Sequence, residues 1–169
     1  MEARKAAEEG EFSKDLLPFS DLTALWKNKM YKDSLNFIQE KCINHPHTAN
    51  YYNIFLEKSR KPWFRGIKLP RRAIVSINRI RAGRTSLASD LHLIKILESP
   101  LCKCGMSEQT VNHMFWQCGL YKEKRASLTK FLYKGKNHGP FWIEEFLSSL
   151  DPEVLTEIAN FILKIDIRI

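Results

Sequence analysis

The chain has 169 residues, of which 44% are hydrophobic and 11% aromatic, enough for a real core in one domain or two small ones and too apolar for a disordered tail. Its formal charge of +8 at pH 7 favours an anionic partner such as nucleic acid. No apolar run is long enough to span a bilayer, and the start, Met1-Glu2-Ala3-Arg4-Lys5, lacks the apolar segment of a signal peptide, so the expectation is an intracellular protein in a reducing compartment.

Residues Glu2 to Glu9 are strong helix formers stopped by Gly10, a short helical end with little to pack on by itself. Leu16-Leu17-Pro18-Phe19 reads as an extended link. Ser20-Asp21 then opens a long helix to about Asn44, with Leu22, Leu25, Trp26, Met30, Leu35 and Ile38 as its apolar stripe. His45-Pro46-His47 ends it, and solvated imidazoles in a turn are the simpler reading of those two histidines than metal ligands. Tyr51-Tyr52 through Phe55-Leu56 form a short apolar element, helix or strand.

A basic stretch follows. From Lys58 to Arg84 the charged residues are all cations, whereas acids gather towards both ends of the chain. Lys58-Ser59-Arg60-Lys61-Pro62-Trp63-Phe64-Arg65 mixes cations with aromatics, a pairing with which single-stranded nucleic acid is bound by stacking and by phosphate contacts. Trp63 and Phe64 read equally well as core anchors of a loop. Pro70 starts a helix from Arg71 to about Ala82, with Ile74, Ile77 and Ile80 on one side and Arg72 and Arg79 aligned on another. A solvated face is the ordinary fate of such cations, but a face with no compensating acid repels itself unless an anion is present. Arg81-Ala82-Gly83-Arg84 closes the helix, and Thr85 or Ser86 caps the next, in which Leu87, Leu91, Ile94 and Leu97 recur at helical spacing.

Ser99-Pro100 delivers the chain into Cys102-Lys103-Cys104-Gly105, followed by His113 and Cys118, a C-x-C-x8-H-x4-C pattern that holds three of the four cysteines. Zinc takes four such sulfur and nitrogen ligands in a closed tetrahedral site, which points to a structural ion rather than a catalytic one. Gly105 suits a tight knuckle. Ser107 is placed to cap a short helix with Glu108 in its first turn, burying Val111, Met114 and Phe115 and ending before Cys118 with Gly119 as its stop. Two other readings compete: buried apolar cysteines beside a hydrogen-bonded histidine, and a disulfide that would draw on Cys42, although nothing marks the chain as secreted. Leu120 to Tyr133 make a basic amphipathic helix carrying Lys122, Lys124, Arg125 and Lys130. Gly135 to Pro140 is a loop, and Phe141–Leu150 and Asp151-Pro152-Glu153 to about Lys164 form two last helices, the second with aspartate as cap and proline first.

The fold expected is mainly α, a small helical bundle with an inserted CCHC zinc knuckle, in four segments: 1–19, 20–68, 69–134 and 135–169. The segment Leu69 to Leu132 carries Arg79-x-Arg81-x-Gly83, Leu87, Leu91, Ser99-Pro100-x-Cys102-x-Cys104-Gly105, Glu108-x-Thr110-x-x-His113, Cys118 and Arg125. It resembles the C-terminal cysteine-histidine knuckle region of non-LTR retrotransposon polyproteins of the I and jockey type. Glu2 to Gly10, with Leu17-Pro18-x-Ser20-Asp21, is similar to the last helix and exit linker of the RNase H domain that precedes the knuckle in such polyproteins. The usual glycine-histidine pair is Gly83-Arg84 here, so any role of that histidine does not transfer.

The resemblance implies zinc on Cys102, Cys104, His113 and Cys118 and a nucleic-acid-binding accessory region with no catalytic residues. The expected contacts to RNA or DNA, largely independent of sequence, are Trp63, Arg65, Lys68, Arg71, Arg72, Arg79, Arg81, Arg84, Lys122, Lys124 and Arg125. It further implies reverse transcriptase and RNase H domains of a longer polyprotein as partners, in a nuclear and cytoplasmic ribonucleoprotein. Apart from the resemblance, a zinc-stabilised protein-interaction module and an inactive remnant remain open.

Overall fold

The computed structural model describes residues 19–43, 54, 61–134, 139–165 and 169. The expected helix over 2–9, the His45-Pro46-His47 turn, most of the 51–56 element and the tip of the 135–140 loop lie outside the described residues. The described chain is mainly helical, with no strand among the described residues, and falls into two units, 1–44 and 45–169. No helix among the described residues is long and apolar enough to cross a membrane.

The first unit contains α1, Phe19–Ile43, a 25-residue helix with Asp21 in its first turn and Lys41 in its last, each suited to the helix dipole. Thr23 donates its hydroxyl to the carbonyl of Ser20 at 2.7 Å. The expected apolar stripe is only partly covered. Leu25, Trp26 and Met30 stay exposed, as do Phe19 and Phe37, whereas Leu35 and Ile38 are half-buried and Cys42 is buried.

The second unit is built on α2 (Arg71–Arg81), α3 (Ala88–Leu93), α4 (Lys122–Lys134), α5 (Ile143–Ser149) and α6 (Pro152–Ile165). Pro70 precedes α2 with extended backbone, φ −60° and ψ 143°, as a residue that cannot donate to a preceding turn should. The helix ends where Gly83 reaches φ 60°, with Arg84 N–H on the carbonyl of Arg79 at 2.9 Å and Gly83 N–H on that of Ile80 at 3.0 Å. This is a Schellman closure, which takes up carbonyls a helix end leaves unpaired. Asp151 caps α6 as expected, its Oδ1 accepting from the N–H of Glu153 at 2.9 Å, with Pro152 at the first helical position.

The core is a slab centred on α6, whose Leu155, Ile158, Phe161 and Ile162 are almost fully enclosed and which packs against both α2 and α4. Ile77 and Ile80 of α2, Leu128 and Leu132 of α4, and Ile143 and Leu147 of α5 complete it. Met114 and Phe115, from the segment between the metal-ligand candidates, belong to the same core, and the Phe115 ring meets Phe161 edge-on at 4.8 Å. Segments 69–134 and 135–169, expected as successive pieces, therefore share one interior. Burying each of these large side chains contributes about 1.5–3 kcal/mol, and the core thus holds the knuckle from one side.

Candidate metal centre

The two ends of the Cys102–Cys118 segment are fixed by different devices. Residues 100–109 fold into a tight hairpin in which the Cys102 N–H bonds the carbonyl of Ser107 at 2.9 Å and the Gln109 N–H that of Pro100 at 2.8 Å. Leu101 and Glu108 pair antiparallel across it. Gly105 makes the turn at φ 74°, a conformation glycine adopts without steric penalty, and its N–H bonds the carbonyl of Cys102 at 2.9 Å. Gln109 also reaches across to α3, its Oε1 accepting from the N–H of Ala88 at 2.9 Å and its carbonyl from the Ser89 hydroxyl at 2.8 Å. The hairpin is thus pinned to the start of α3.

The helical turn after the hairpin starts later than expected. Ser107 and Glu108 lie in the hairpin's return limb, and the cap is Thr110, whose Oγ1 accepts from the N–H of His113 at 3.1 Å. From His113 to Gln117 the backbone winds as a π-helix, closed by the Cys118 N–H on the carbonyl of His113 at 2.7 Å. In an α-helix, positions five apart point about 140° away from each other, at 3.6 residues per turn. The wider π turn brings the fifth residue back over the first, so His113 and Cys118 face one centre.

The side chains converge. Sγ of Cys102 and Sγ of Cys118 are 3.7 Å apart, Sγ of Cys104 and Nε2 of His113 are 3.2 Å apart, and all four ligand atoms lie within 4.8 Å of one another. A tetrahedral ion with metal–sulfur bonds of about 2.3 Å and metal–nitrogen bonds of about 2.0 Å sets its sulfurs about 3.8 Å apart and sulfur from nitrogen about 3.5 Å. The sulfur pair matches that spacing, and the sulfur–nitrogen pair needs only a small outward turn. Cys102, His113 and Cys118 are buried and Cys104 is half-buried. The group fits a metal ion by donor type, number and separation. Nε2 faces the cluster, while the buried Nδ1 of His113 has no hydrogen-bond partner among the described residues.

The thiols differ in acidity. Burial pushes the Cys102 thiol up to about 11, with the neighbouring Cys104 and Cys118 adding to the rise. Cys104 is held down to about 6, first by a hydrogen bond from the Met106 backbone and then by Cys102, His113 and Cys118. Cys104 is therefore ready as a thiolate at neutral pH, whereas a metal ion would have to displace the Cys102 proton. Arg125 lies directly behind, its guanidinium donating to the carbonyls of Trp116, Met114 and Cys118.

The residues expected to meet nucleic acid divide into two groups. Arg65, Lys68, Arg71, Arg72, Arg84, Lys122 and Lys124 are exposed. Arg79 is exposed too, but donates to the Ile169 carbonyl at 2.8 Å. Arg81 and Arg125 are buried at 5% and 8% exposure, so neither guanidinium belongs to an outward surface. Trp63 is half-buried against the core, with Nε1 on Asn78 at 2.6 Å and the Arg81 guanidinium over its ring at 5.4 Å. It is a core anchor, and its ring already carries a cation. Gln109, Thr110 and the interior role of Arg125 had no reading in the sequence; of these only Thr110, three residues before His113, carries a capping spacing that would have marked it.

Comparison with known proteins finds no matching family model, no matching curated protein and no matching solved structure.

Proposed function

We propose that this chain is a non-catalytic, zinc-stabilised nucleic-acid-binding module, the accessory knuckle region of a non-LTR retrotransposon polyprotein. The observation that carries the reading is the convergence of Cys102, Cys104, His113 and Cys118 to within 4.8 Å. Three thiolates and one imidazole suit a soft, tetrahedral ion such as zinc, and four protein ligands would leave no open position for a reacting water. The ion supplies a cross-link between the hairpin and the π turn.

The chain's own residues supply the affinity. The first turn of α2 carries Arg71 and no acid, with Lys68 just before it, so cations sit where the helix dipole is already positive. That arrangement is unfavourable alone and is relieved by an anion such as a phosphate. Arg65, Arg84, Lys122 and Lys124 add further exposed charge. Binding to RNA or DNA would be mainly electrostatic and weakly selective for sequence.

A salt series of filter binding with single-stranded RNA and DNA tests this reading. Each phosphate contact contributes about 0.7 to the slope of log affinity against log salt on single strands. Lys68→Glu with Arg71→Glu is expected to weaken binding at least tenfold and to flatten the slope; acids there suit the helix start, so folding should hold. Undiminished binding by the double variant would place the contact elsewhere. For the metal, purified protein should contain one zinc per chain and Cys104→Ser much less; equal zinc in both would sink the assignment.

A specific observation favours a second reading. Leu93, Ile94, Ile96 and Leu97, in and after α3, are exposed, as are Leu101 and Met106 of the hairpin. Clustered apolar exposure of this kind suits a protein-interaction module. Partner binding that resists salt and competing polyanion would support it.

A further inference from the structure

Arg125 is the one cation of the first turns of α4 that is buried, while Lys122 and Lys124 are exposed. Its guanidinium donates to three carbonyls, those of Met114 and Trp116 within the π turn and of Cys118 just after it. Cys118 leaves the helix there with φ −63° and ψ 123°, and its carbonyl, which also accepts from the Tyr121 N–H at 3.3 Å, opens the 3-10 turn at Gly119–Tyr121. A planar fork of donors suits that task as an ammonium does not.

A charge argument points the same way. Three thiolates and a divalent ion leave a net charge of about −1 in a site whose Cys102, His113 and Cys118 are buried, following the ligand set above. A buried anion is costly unless a cation stands near it.

We propose that Arg125 is the positioning residue of the metal centre, holding the Cys118 backbone in place and balancing the charge of the thiolate cluster. This rests on the zinc reading above. Partners behind metal ligands commonly change metal affinity by about 10- to 100-fold when removed. The experiment is a competition titration of the purified full chain against a chromophoric zinc chelator, for wild type, Arg125→Met and Arg125→Lys, with the cobalt(II) absorption spectrum recorded for each. Arg125→Met is expected to lose at least tenfold in zinc affinity and to shift the thiolate–cobalt bands; Arg125→Lys, which keeps the charge without the fork, should fall between it and wild type. Circular dichroism at saturating zinc establishes that each variant is folded, and if Arg125→Met is not, Arg125→Lys alone decides.

Affinity within about twofold of wild type in the folded variants, with an unchanged cobalt spectrum, would overturn the assignment. Failure of wild type to take up zinc would overturn the zinc reading, and this one with it. Intact wild-type binding with indifferent variants would overturn only the role of Arg125.

Discussion

Cys104 and Cys102 stand two residues apart and yet hold their protons very differently, about 6 against about 11. Hydrogen bonding from the backbone near Met106 favours the Cys104 thiolate, and burial disfavours that of Cys102. An ion must displace the Cys102 proton at any pH below about 11, so zinc affinity should rise with pH through the neutral range. Below about 6 Cys104 also becomes protonated, and affinity should fall more steeply there. A chelator titration repeated from about pH 5 to about pH 8 crosses the Cys104 value while Cys102 stays protonated in the free protein, so it measures both slopes, and a pH-independent affinity would contradict them. Gly105 offers a second test at this scale. A side chain at φ 74° meets nothing within 4 Å, so only backbone strain opposes it. Gly105→Ala should destabilise the loaded protein by about 1–2 kcal/mol and Gly105→Asn by less, since asparagine visits the left-handed region more readily. Thermal melts in excess zinc compare the two.

Among the elements, the helix boundaries marked by local chemistry were legible: Pro70 before α2, Gly83 after it, and Asp151-Pro152 at α6. Each acts within a few residues through its own dihedral preference or side-chain acceptor, so no distant contact is needed to read it. The four ligands were legible for the same reason, their types and spacing lying in one short segment. The turn between His113 and Cys118 was not, because a π-helix is imposed by what the turn must satisfy at both ends. Nor was the shortness of α3, where Lys95 turns at φ 61° and Leu93, Ile94, Ile96 and Leu97 remain exposed despite their helical spacing. Arg125 and Arg81 defeat composition outright, since a charge count cannot tell a buried guanidinium from a solvated one. The cap is the sharpest case for experiment. Thr110→Val removes the acceptor for the His113 N–H and should cost about 1 kcal/mol, whereas Ser107→Ala, at an exposed hairpin position, should cost almost nothing. Denaturant unfolding in excess zinc separates them; equal losses would restore Ser107 as the cap.

At the scale of the second unit, the hairpin and the α6-centred core are two sources of order joined at Phe115, whose ring lies on Phe161. The hairpin itself buries little, with Leu101 and Met106 exposed and Cys102 its one enclosed apolar side chain. On the zinc reading, its stability comes from the bound ion and from Gln109 at the start of α3. An ion at a thousandfold above its dissociation constant stabilises the folded state by about 4 kcal/mol, a large share of the roughly 5–15 kcal/mol typical of a domain. Chelation should therefore lower the melting temperature by more than about 10 °C without abolishing cooperative unfolding. Hydrogen exchange would show where the loss falls. The amides of Cys102, Gly105, Gln109 and Cys118 close the knuckle and should exchange freely once the ion is gone. Those of α6 from Ile158 to Ile162 lie under side chains that the ion does not touch and should keep most of their protection. Equal loss at both sets would mean that hairpin and core fold as a single unit, and that the ion holds the whole second unit together rather than the knuckle alone.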